Sequence, residues 1–195
     1  FSQSTFNYKE LKFLDNKIEY KGIKAKYIIF CEGFKLRYNP WFSYLPLIGS
    51  KGEFLYIRTK AISQKEIIKR GLFIVPMGKD LFWIGANFDR KYKTLRPTKL
   101  GKEWILSKLK EIIDSSFEVV NHKSAIRPTV QDRRPLLGAH PIEKNIYVFN
   151  GMGTRGVLMG PLLAKWMYNF VVGGKKSWPE IAIDRFETYF SNPRK

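Results

Sequence analysis

Apolar and polar positions recur along the 195-residue chain with two periods, and the switches between them mark its elements. KIEYKGIKAKYIIFCEG predicts a hairpin: a strand over residues 17–20, a turn at Lys21 and Gly22, and a strand over residues 27–31 ending at Gly33. Its second arm is apolar on both faces, as buried central strands are. LRYNPWFSYLP, with prolines at 40 and 46, reads as a linker, and KGEFLYIRTK opens a new group of strands. GLFIVPMGKDLFWIGANFD predicts a second hairpin, with residues 77–80 as its turn and β-branched or aromatic residues on both arms. In PTKLGKEWILSKLKEII, Ile105, Leu109, Ile112 and Ile113 fall at helical spacing, which predicts an amphipathic helix capped by Thr98 and covering one face of the hairpin sheet. FEVVNHKSAIRP returns to strand, and QDRRPLLGAHP reads as loop and short strand. Residues 145–150 form a strand with Ile146 and Val148 on one face and Tyr147 and Phe149 on the other. A last helix covers residues 156–172, stopped by Gly173 and Gly174.

Strands dominate and most are joined by hairpins or short returns, so the expected class is α+β with a largely antiparallel or mixed sheet and a covering helix. Gly151, Gly153 and Gly156 form a G-x-G-x-x-G between the last strand and the last helix. A dinucleotide-binding fingerprint would need a second parallel strand after that helix, ending in an acidic residue. Only the short apolar piece at residues 181–183 follows, flanked by Glu180 and Asp184, so no βαβ unit is completed. Two readings of the glycines stay open. They either let backbone N–H groups and the positive helix end meet a flat ligand, or simply permit a tight strand-to-helix turn.

Charge adds a competing idea. Lys and Arg number 35 against 17 Asp and Glu, for +18 and an isoelectric point near 9.9. That balance suits a nucleic acid or another anionic partner, although the basic residues are dispersed without a run of five or six. A single cysteine, Cys31, excludes an intrachain disulfide, and with only His122 and His140, both far away, it gives no metal-ligand spacing. The absence of a signal-peptide pattern and of an uncharged apolar run of about 18 residues leads to the expectation of a cytoplasmic protein without a membrane span. A start at Phe1 suggests a portion of a longer chain.

IRPTVQDRRPLLGAHPIEKNIYVFNGMGTRGVLMGPLLAKWM resembles the C-terminal signature of the D-amino-acid oxidase and glycine oxidase family of FAD-dependent oxidoreductases. KYIIFCEG is similar to that family's strand near the adenosine half of the cofactor, and GLFIVPMGKDLFWIGANFD to its substrate-domain hairpin. The resemblance implies a flavoprotein without its N-terminal ADP-binding unit. It divides the chain into residues 1–45 of an FAD-binding domain, a substrate-binding domain over residues 46–128, and the C-terminal strand, loop and helix of the FAD-binding domain over residues 129–195. It further implies that FAD meets Gly33 and the loop of Gly151, Met152, Gly153, Thr154, Arg155, Gly156 and Val157. Arg127 is placed by it to grip a substrate carboxylate, since a planar guanidinium fork matches one. Arg155 is the second basic candidate. The implied reaction is oxidation of an amine or amino acid by hydride transfer to flavin, with no general base required. Two positions depart from the pattern: Phe73 stands where a carboxylate-binding tyrosine is usual, and Glu32 where a small residue is. Lys51, Arg133 and Arg134 are expected to add positive charge near the active-site side, or to be ordinary solvated residues. The alternatives are a basic nucleic-acid-binding module and a flavin domain acting on a modified tRNA base.

Overall fold

The computed structural model describes residues 3–143, 145–176 and 178–191. It is α+β, and the chain divides into two compact units: one runs to Ile48 and resumes at Pro128, and the other is Gly49–Arg127. No helix among the described residues is long and apolar enough to cross a membrane.

The discontinuous unit holds two small sheets. In the first, β1 (Leu11–Leu14), β2 (Lys17–Tyr20) and β3 (Ile23–Ala25) form an antiparallel meander. The turn at Lys21 and Gly22 is as expected, with φ of 48° and 79°, the left-handed pair that a tight hairpin needs. The arm returning from it is β3, however, and the apolar segment expected there is a separate strand, β4 (Ile28–Phe30). Nor is it the buried central strand that its apolarity predicts: among the described residues β4 lies at the edge of the second sheet, with Ile29 41% exposed. There it runs parallel to β11 (Ile146–Asn150), which also pairs antiparallel with β10 (Leu136–Ala139). As expected of β11, Ile146 and Val148 enter a core with Phe30, Leu36, Phe42 and Leu136, while Tyr147 and Phe149 pack on the opposite side with Leu163 and Met167. Those two belong to α2 (Gly156–Val171), which stops where a side chain at Gly173 would press within 2.8 Å of the Asn169 carbonyl. A short helix, α3 (Glu187–Ser191), follows. Among the described residues the chain after α2 returns to this sheet only as an isolated parallel bridge from Ala182 to Leu137, and they form no βαβ unit there.

The Gly49–Arg127 unit is a five-stranded antiparallel sheet. Its strands are β5 (Ser50–Arg58), β6 (Ile68–Arg70), β7 (Leu72–Gly78), β8 (Leu81–Gly85) and β9 (Glu118–Arg127), in the order β6-β7-β8-β5-β9. The β7–β8 turn is built from Lys79 and Asp80, both at positive φ. Alternation sends Leu55, Ile57, Leu72, Ile74, Phe82 and Ile84 to one face, where α1 (Lys99–Lys110) covers them through Ile105 and Leu109. Thr98 caps α1 as expected, its hydroxyl accepting from the Gly101 N–H at 3.1 Å. Ile112 and Ile113 lie beyond the helix end but still pack against this core.

Candidate functional sites: a glycine turn in one unit, an aromatic sheet face in the other

In the discontinuous unit, β11 ends at Asn150, whose buried side chain organises the turn that follows. Its Nδ2 donates to the Gly33 carbonyl at 3.0 Å and its Oδ1 accepts from the Gly151 N–H at 2.8 Å. Gly33 and the glycine loop, far apart in sequence, are thereby brought together. Gly151 has φ +75°, and a Cβ there would sit 2.7 Å from Val130 Cγ2 and 2.9 Å from Leu136 Cγ. Both its conformation and its packing exclude any other residue. Gly153, at φ +55°, donates to the Pro128 carbonyl and opens a single 3-10 turn, Gly153–Arg155.

Gly156 behaves differently. It is helical, with φ −56°, and a Cβ would touch only Met152 Cβ at an ordinary 3.6 Å; one on Gly33 would meet nothing within 4 Å. The fold of this chain therefore does not require glycine at 156. The start of α2 has no side-chain cap, so its first N–H groups project a partial positive charge unopposed, beside Val157 and Leu158 at 96% and 80% exposure. Arg155 is exposed and turns one guanidinium nitrogen to the Arg133 carbonyl at 3.1 Å. Arg133 and Arg134 are exposed, and neighbouring Asp132 binds Arg185 at 2.8 Å. Glu32 turns into the chain, accepting from Tyr8 Oη at 2.5 Å and Asn39 Nδ2 at 2.8 Å. Both partners are protein groups, so the carboxylate in that strand-end turn is held within the chain.

In the Gly49–Arg127 unit, the sheet face opposite α1 carries the alternate residues Phe54, Tyr56, Phe73 and Trp83. Phe54 and Trp83 lie with ring centroids 5.4 Å apart, and Phe73 is 43% exposed. Gly85 pairs with both Phe54 and Phe73, and a Cβ on it would come within 2.8 Å of Phe54 Cβ and 3.0 Å of the Trp83 ring, so the absence of a side chain lets the rings close up. The ammonium groups of Lys123 and Lys69 stand over Tyr56 and Phe73. Arg127 occupies the end of β9 on the same face, paired with Ser50. Its guanidinium folds over Gly52, where any side chain would collide with it. It donates to the carbonyls of Lys51 and Asn87 at 3.4 and 3.3 Å and lies 5.5 Å from the Phe88 ring centre. No carboxylate pairs with it among the described residues, and burial lowers its pKa below the ordinary arginine value. A half-buried guanidinium with only long bonds to carbonyls retains capacity for an anion.

Lys51 corrects the expectation placed on it. It is 1% exposed, with Nζ 2.7 Å from Glu53 Oε1 and 2.7 Å from the Arg96 carbonyl. Glu53 also accepts from the N–H and hydroxyl of Thr98, both at 2.8 Å, and His122 Nε2 lies 2.9 Å from it. Lys51 is thus part of a buried lock between β5 and the start of α1, not a charge offered to a ligand. The aromatic residues Phe54, Trp83 and Phe88 were not singled out from sequence. The available signal was the strict alternation in EFLYIR, which sets rings on the face opposite Leu55 and Ile57.

Comparison with known proteins matches residues 10–169 to the family model DAO, FAD dependent oxidoreductase. The chain is 28% identical over 127 residues to the tRNA 5-methylaminomethyl-2-thiouridine biosynthesis bifunctional protein of Idiomarina loihiensis, covering 62% of this chain and 21% of that protein. It is 30% identical over 121 residues to a glycine oxidase of Geobacillus kaustophilus, covering 57% and 31%. Among solved structures, the iminodiacetate oxidase of Chelativorans sp. BNC1 superposes with a TM-score of 0.71 at 19% identity, over 91% of this chain and 51% of that one. The glycine oxidase of Geobacillus kaustophilus superposes at 0.68 with 23% identity, over 87% and 47%. The chain spans about half the length of these structures and a third or less of these two curated relatives.

Proposed function

The chain belongs to the FAD dependent oxidoreductase family, and from that premise we propose that it supplies the flavin-side turn and the substrate face of an enzyme oxidising an amine or amino acid. The observation that carries this reading is the glycine turn: glycine stands at 156 where the fold tolerates a side chain, beside an uncapped helix end and two nearly bare apolar residues. These features fit FAD. Gly33, Gly151, Met152, Gly153, Thr154, Arg155, Gly156 and Val157 would hold it, and the unit that runs to Ile48 and resumes at Pro128 would belong to the FAD-binding domain. When bound, FAD supplies the acceptor for the hydride leaving the substrate's C–H bond. The backbone N–H groups at the start of α2 would oppose negative charge developing nearby, without reorganisation. Arg127 would bind the substrate carboxylate bidentately and fix the C–H to be broken, with the Gly49–Arg127 sheet as the substrate-binding domain. Phe54, Phe73 and Trp83 would exclude water from the reacting amine. With Phe73 lacking a hydroxyl, carboxylate binding falls to Arg127.

The deciding experiment is anaerobic addition of amino acids and secondary amines to the FAD-loaded full-length protein. Bleaching of the flavin band by one class is the expected result. A protein that takes up no FAD would overturn the reading. Arg127→Ala should cut kcat/KM by a factor corresponding to a few kcal/mol while flavin absorbance persists; unchanged turnover removes Arg127 from the site.

One observation favours a second reading, in which the oxidised amine is carried by a base of tRNA. The open aromatic face, rimmed by Lys69 and Lys123, suits a planar base, and three relatives are named for tRNA thiouridine biosynthesis. RNA affinity that falls steeply with salt, together with flavin reduction by RNA but not by free amino acids, would select it. A pure nucleic-acid-binding module is disfavoured by the charge distribution. Lys and Arg outnumber Asp and Glu by 17 to 8 in residues 49–127 and by 18 to 9 in the remainder, so neither unit is a dedicated basic platform.

A further inference from the structure

Arg127 is not the only guanidinium against the Phe88 ring. Arg90, two residues farther along the loop after β8, places its guanidinium carbon 5.3 Å from the same ring centre that Arg127 approaches at 5.5 Å. The two charged groups are therefore no farther apart than the sum of those distances. Among the described residues neither has a carboxylate partner. The acidic residue next to Arg90 in the loop, Asp89, is committed to its own turn: its Oδ1 accepts from the Lys91 N–H at 2.7 Å, and its backbone bridges to Lys51. Phe88 itself is 52% exposed. Two unpaired guanidinium groups on one ring repel each other in the free protein, and an anion spanning them removes that cost at both ends.

We propose that Arg90 is a specificity-determining residue, binding a second anionic group of a substrate whose α-carboxylate rests on Arg127. The substrate class is then a compact dianion: an amine bearing a carboxylate plus a further carboxylate or phosphate. This deepens the amine-oxidase reading and rests on it for the role of Arg127. The rim lysines over Tyr56 and Phe73 are a separate pair, each on its own ring, and do not substitute for Arg90.

The test separates the second anion from the oxidation chemistry by using unreactive ligands. Succinate, butyrate and phosphonoacetate are titrated into the FAD-loaded full-length protein by calorimetry, for wild type, Arg90→Gln and the control Arg58→Gln, whose side chain is exposed and paired with Glu118. Expected is at least tenfold tighter binding of succinate than butyrate in wild type and in the control, with the ratio falling toward unity in Arg90→Gln. Arg90→Lys should keep part of it. Phosphonoacetate binding tighter than succinate would identify phosphate as the second group, and weaker would identify carboxylate. Equal affinity for succinate and butyrate in wild type, or a ratio that survives Arg90→Gln, overturns the proposal. If the titrations discriminate but no amine bleaches the flavin, the anion site stands and the oxidase reading falls.

Discussion

Replacing Gly151 by alanine would drive a methyl group into Val130 and Leu136 while holding the backbone at a left-handed φ of +75°. The combined cost is about 2 to 4 kcal/mol. The same change at Gly156 meets only an ordinary contact and removes a flexible residue from a helix, a gain of about 0.5 to 1 kcal/mol. We therefore expect Gly151→Ala to lower the melting temperature of the FAD-free protein and Gly156→Ala to hold or raise it. Flavin titration should show the opposite ranking of concern, with Gly156→Ala weakening FAD. Undiminished FAD affinity in Gly156→Ala would remove that residue from the cofactor site. Sequence alone left the ligand-binding and turn-forming readings of the motif equal. The packing around each Cβ position shows that the motif's glycines differ in kind.

At the level of elements, the lock between β5 and α1 carries the sharpest prediction. Glu53→Gln would leave the Lys51 ammonium buried against neutral groups, at a cost of about 3 kcal/mol or more, read as a fall in denaturant midpoint. Burial pushes the Glu53 carboxyl up, but hydrogen bonds from Lys51 and Thr98 outweigh it, and its pKa lies below the usual carboxylate value. Asp132 follows the same balance, with Arg185 and the Arg134 N–H as donors. Because folding lowers both pKa values, the stability they confer is fully present above the ordinary carboxylate range. It should be lost as pH falls through the lowered folded values. A stability that held constant through that acid range would contradict this. Elements with strong local signals were legible: the α1 stripe with its Thr98 cap, the β7–β8 hairpin, and both faces of β11. What escaped was pairing at a distance. Nothing in KIEYKGIKAKYIIFCEG says that its apolar end will leave the meander and lie parallel to a strand more than a hundred residues later, since that choice is made by the core of Phe42, Leu136 and Val148. Nor could the sequence tell that Lys51 would be consumed by Glu53, two residues away on the same strand, because their meeting depends on where the loop before α1 brings Thr98 and Arg96.

For the molecule as a whole, the proposed site residues rest on motif resemblance, whereas the aromatic face was hidden because rings at alternate strand positions read equally as core. The Gly49–Arg127 unit has its own sheet, covering helix and core of Leu55, Ile74, Phe82 and Ile105. Expressed alone as residues 49–127, it should unfold in one cooperative transition by circular dichroism. A broad, non-cooperative melt would show that its stability is borrowed. Its first and last strands, β5 and β9, are antiparallel neighbours with Ser50 opposite Arg127, so the chain comes in and goes out at adjacent points. Such a unit behaves as a cassette: it can be lengthened, remodelled or exchanged for another without rethreading the segments on either side. Under the proposed function, the part that would choose what is oxidised is free to change while the part that would hold the oxidant stays as it is.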